Sequence, residues 1–79
     1  MTNKDLLKRI VVNPDIMVGK PTIKGTRLTV QYILNLLAQG MTIEEILREY
    51  KNLKHDDILA CFYFATQTLE STTFAPLTA

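Results

Sequence analysis

Between residues 9 and 30 the apolar positions come in short pieces separated by turn-formers, and beyond residue 30 they settle into a helical period. Arg9 to Val12 is β-branched, Asn13-Pro14-Asp15 is a turn signal, and Thr22-Ile23 and Leu28 to Val30 are further short apolar pieces. Gly19 and Gly25 flank the middle piece with backbone angles closed to other residues, and Pro21 withholds a donor. The pattern predicts a small β-hairpin or ribbon over 9–30 and leaves its pairing register open.

Val30, Ile33, Leu34 and Leu37 fall at i, i+3, i+4 and i+7, with Gly40 placed as a C-terminal cap, which predicts a helix over 30–39. Thr42 and Glu45 have the spacing of a capping box, and Ile43, Ile46, Leu47 and Tyr50 form the apolar stripe of a second helix over 43–50. After a connection at 51–54, a third helix over 55–70 opens with Asp56 and Asp57, acids suited to the positive end of the helix dipole. On a wheel of about 100° per residue, Ile58, Cys61, Phe62, Ala65 and Leu69 share a face, which Leu59, Tyr63 and Thr66 widen. Ala60 and Phe64 fall on the far side. The expected fold is mainly α: a three-helix, helix-turn-helix (homeodomain-like) unit preceded by the ribbon, one domain over 1–79 with a tail at 71–79.

A chain of 79 residues buries only about two thirds of its unfolded surface, so a partner or a homodimer contact is expected on stability grounds. The 47% hydrophobic and 22% charged composition is that of a folded globular protein. Asp5, Lys8 and Arg9 interrupt the start before it reaches signal-peptide length, and no stretch approaches a membrane span, so a cytoplasmic protein is expected. The lone cysteine, Cys61, has no disulfide partner, and no Cys/His cluster points to a metal or cofactor. The net charge of +1 conceals an asymmetry: residues 1–27 carry six basic against two acidic residues, whereas 28–79 carry three against six. An anionic partner would meet the N-terminal third.

Within that third, Lys20, Lys24, Thr26 and Arg27 are the candidate contacts to DNA or another anion. Two plainer readings stand beside this one: lysines that solvate a strand edge, and an internal salt bridge from Arg27 to a helical acid. Gly19-Lys20 does not open a phosphate loop, because Pro14 and Pro21 occupy the positions where that motif needs Gly and Ser or Thr. His55, Asp56 and Asp57 diverge around a helix and make no acid-base or metal cluster. With one histidine and a cysteine read as a buried hydrophobe, no catalytic residue is assigned and an enzyme is not expected. Leu59, Tyr63 and Phe64 on the third helix, with Phe74 and Leu77 in the tail, are the candidate partner interface.

The residues Arg9-Ile10, Asn13-Pro14, Gly19-Lys20-Pro21-Thr22-Ile23-Lys24-Gly25-Thr26-Arg27, Val30, Gly40-Met41-Thr42, Glu44-Glu45-Ile46 and Tyr50 together resemble the family known as domain of unknown function 433. The Gly-x-Pro-x-Ile-x-Gly-Thr-Arg core is its most specific part, and the likeness runs over about residues 9–66. The resemblance implies a homeodomain-like trihelical fold and an antitoxin-like role, neutralising a small PIN-like ribonuclease toxin. Repression of the protein's own operon by DNA binding would accompany it; the alternative is a dimeric DNA-binding transcriptional regulator with no toxin partner. Two positions depart from the family pattern: Lys54 stands where Ser or Thr often caps the third helix, and Phe64-Ala65 stands for Tyr-Ala.

Overall fold

In the computed structural model, which describes residues 3–70, Ile10–Val11 (β1) and Thr22–Ile23 (β2) pair antiparallel. Ile10 faces Ile23 and Val11 faces Thr22, and burial accounts for that register: Ile23 sits in the core and Ile10 packs against it. A one-residue slip would turn the Ile10 side chain away from Ile23. Leu28 to Val30 contributes only a single bridge, Thr22 to Thr29, because Thr29 turns out of the ribbon to cap the next helix, its hydroxyl accepting from the Tyr32 N–H at 3.0 Å. The turn between them uses Gly25 at φ +82°, and the Thr26 hydroxyl donates to the Ile23 carbonyl at 2.8 Å while accepting from the Leu28 N–H at 3.0 Å.

Three helices follow where the periodicity places them, at Val30–Ala38 (α2), Ile43–Glu49 (α3) and His55–Glu70 (α4). Gly40, at φ +101°, stops α2 in a conformation that costs other residues dearly. Both halves of the α3 capping box form: Thr42 accepts from the Glu45 N–H at 3.1 Å, and Glu45 accepts from the Thr42 N–H at 2.9 Å. Lys54 cannot cap α4 with its side chain, but Asp57 reaches back to the Lys54 N–H at 2.9 Å and supplies half of such a box. Tyr32 and Tyr50 meet edge to face, ring centres 6.1 Å apart with their hydroxyls hydrogen-bonded, and so tie α2 to the end of α3.

Ile23, Val30, Ile33, Ile46, Leu53, Ile58 and Cys61 form one core in which ribbon and all three helices take part. Two features depart from the pattern-based expectation. A short helix, Asn3–Leu7 (α1), precedes the ribbon and packs on α4, where the sequence pattern assigns no element. The buried face of α4 is also rotated: Ala60 is fully buried and Phe64 packs against the core, whereas Phe62 and Leu69 are exposed. With α1 against it as well as α2 and α3, α4 is covered on sides that a wheel with a single core face leaves open.

Candidate docking groove

Ribbon, α2 and the second half of α4 enclose a groove of about 400 Å³. Val30, Gln31 and Leu34 line it from α2, Phe64, Ala65, Thr68 and Leu69 from α4, and Lys20 and Pro21 from the ribbon. The capped start of α2 positions the first set, because Thr29 directs Val30 inward while Gln31 stays exposed at the rim. Phe64 has its inner edge on the core and its outer edge in the groove. Lys20 is the one charged residue in this lining, and it forms no ion pair among the described residues.

The other anion-contact candidates lie elsewhere. Lys24 borders a second depression with Asp5, Lys8, Arg9 and Asp57, and Arg27 a third with Glu49, Tyr50 and Lys51. Lys20, Lys24 and Arg27 thus open onto three separate depressions. No salt bridge from Arg27 to a helical acid is formed among the described residues. Thr26 spends its hydroxyl on the turn.

Of the interface candidates, Phe64 lines the groove, Leu59 and Tyr63 lie outside it, and Phe74 and Leu77 fall outside the described residues. Pattern reading missed Gln31, Leu34, Ala65 and Thr68. Its available signal was the absence of any charged side chain from Ile58 through Leu69, too much for a single core-facing stripe.

Arg9 was also invisible as a structural residue until the chain was folded. Its guanidinium bonds Asp57 at 3.0 Å and lies 3.6 Å from Asp56, so the acids at the start of α4 are held towards the ribbon. Cys61 lies one turn further along α4; burial, reinforced by the Asp57 carboxylate, pushes its thiol up to about 12. At neutral pH it is a protonated, inert hydrophobe. Among the described residues, no three His, Cys, Asp or Glu side chains come together as a metal site requires, and no helix is long and apolar enough to cross a membrane.

Ribbon, three-helix unit and apolar groove define a small helical domain of helix-turn-helix type. The chain belongs to the family of proteins of unknown function DUF433, whose model matches residues 10–65. It is similar in structure to a DUF433 member protein from Anabaena variabilis ATCC 29413, with 27% identity and a TM-score of 0.76. That likeness covers 85% of this chain and 66% of the other, so this chain spans just under two thirds of its neighbour's length. No curated protein matches.

Proposed function

We propose that this chain is an antitoxin-like protein-binding module that holds a PIN-like ribonuclease partner in the groove between α2 and α4. The observation that carries the binding part is the lining itself: mainly apolar, with Gln31 and Thr68 as the polar side chains of its helical walls and Lys20 as its single charge. A partner segment that fits it is an apolar helix or loop bearing a carboxylate at the Lys20 end. The antitoxin role rests on the family resemblance. DNA contact by the ribbon receives less support, because Lys20, Lys24 and Arg27 border three different depressions and none of these gathers them together.

The test is co-expression with the protein encoded by the adjacent gene, followed by co-purification and growth measurement. Ala65→Arg fills the groove and Lys20→Glu reverses its charge; both variants are expected to fold, to lose the complex by about tenfold or more in affinity and to leave the growth arrest unrelieved. Folded variants that still bind and protect, or a wild-type chain indifferent to its neighbour, would overturn the reading.

A further inference from the structure

The end of α4 delivers the chain to the mouth of the groove. Thr68 and Leu69 line that groove, α4 ends at Glu70, and the nine residues 71–79 continue from there. Their sequence, Ser-Thr-Thr-Phe-Ala-Pro-Leu-Thr-Ala, has no charged side chain and two large apolar ones, Phe74 and Leu77. Such a segment gains by leaving water, and apolar walls stand beside its point of attachment.

Reach and direction decide whether it can enter. From Phe64 to Leu69 the α4 wall is about 7.5 Å long, at about 1.5 Å per residue. The steps from Glu70 to Phe74 span up to about 13 Å when extended, so a chain that turns back after Glu70 carries Phe74 past the whole of that wall. Ser71, Thr72 and Thr73 are small and polar, residue types whose side chains favour turns over helix interiors. Pro76 has no backbone N–H and disfavours helical geometry at Ala75, which opposes a continuation of α4 along its own axis. Attachment supplies what a free molecule lacks: a segment tethered this closely to its site has an effective concentration of about millimolar order. A second copy or an unattached segment has to bind far more tightly to compete.

We propose that in the free protein the groove between α2 and α4 is occupied by the chain's own tail, with Phe74 and Leu77 against Val30, Leu34, Phe64 and Ala65. The tail has no carboxylate side chain to offer Lys20, the one charge in the lining. A partner segment bearing a carboxylate at that end makes similar apolar contacts and an ion pair besides, and so has the means to displace the tail. The displacement rests on the partner reading above; the seating of the tail does not.

Nuclear Overhauser spectra of the full chain, free of any partner, test the seating. Contacts are expected from the Phe74 ring to the methyl groups of Leu34 and Ala65, unchanged on dilution. Phe74→Ser with Leu77→Ser, both outside the core, should shift the amide signals of Val30, Gln31 and Leu34 and leave those of α3 in place. Ala65→Arg, which fills the groove, should abolish the contact between Phe74 and Leu34. Absence of these contacts in the wild-type chain, or α2 signals indifferent to the double substitution, would overturn the proposal. Contacts that fade on dilution would overturn it too, by giving the groove to the tail of a second copy. The double variant should also bind the partner about fivefold or more tightly, since nothing has to leave the groove first. Equal affinity would overturn the displacement. The spectra need no partner, so failure of the seating and failure of the partner reading are separate results.

Discussion

Arg9 stands just before β1, and 48 residues separate it from the Asp57 carboxylate that it bonds at 3.0 Å. Asp57 is largely buried, and its carboxyl group does two things: it accepts from the Lys54 N–H and, through Arg9, ties α4 to the ribbon. Removing the guanidinium leaves that carboxylate without its charged partner. Arg9→Met should therefore lower the free energy of unfolding by about 2 kcal/mol, the usual scale for a hydrogen bond to a charged group. Urea titration measures it, and an unchanged midpoint would mean the pair contributes nothing net. Asp56 and Asp57 were legible in the sequence as acids at a helix start. Their partner was not, because the contact depends on where the ribbon lies.

Glu45 is a second residue whose protonation matters. Its hydrogen bonds from Thr42 hold its carboxyl below the ordinary glutamate range, backbone contact first and hydroxyl second. A depressed folded value makes the stabilising contribution complete above about pH 4.3, and it is lost as pH falls through the lower folded value. Thermal melts from about pH 5 to about pH 3 should show wild type losing more stability than Glu45→Gln, which has no carboxylate to protonate. Parallel losses would remove Glu45 from the acid response.

Among the elements, the turn joining the two strands carries the clearest strain. Met17, Val18 and Gly19 follow one another at φ +51°, +56° and +75°, closed by the N–H of Gly19 on the Ile16 carbonyl and of Lys20 on the Met17 carbonyl, each at 3.1 Å. Val18, β-branched and 92% exposed, gains no burial in return. A left-handed conformation costs such a residue about 1–2 kcal/mol, and asparagine tolerates it better. Val18→Asn should raise the melting temperature by about 5 °C, and a lowered melting temperature would show that Val18 has a packing role the exposure does not suggest. Glycine at 19 and 25 announced turns, but nothing in the pattern marked Val18, since the turn is imposed by the closure of the strands on either side. The helices were more legible: α2, α3 and α4 lie within a residue of their expected limits because caps and periodicity are local. Which face of α4 is buried was not legible, since a helix apolar all round offers a wheel no contrast to orient it.

At the scale of the whole molecule, two apolar surfaces emerge from one uncharged stretch of α4: a groove shared with α2 and the ribbon, and an exposed outward face. The basic N-terminal third, a single feature along the chain, is dispersed by folding among three depressions and an internal ion pair. Family, helix limits, turn glycines and the capping box were determined by the sequence alone, because each depends on residues within a few positions of one another. The ribbon register, the docking of α1, the orientation of α4 and the partner of Arg9 were decided only by the tertiary structure. Each of these depends on which distant surfaces exclude water together, a condition that no local pattern contains.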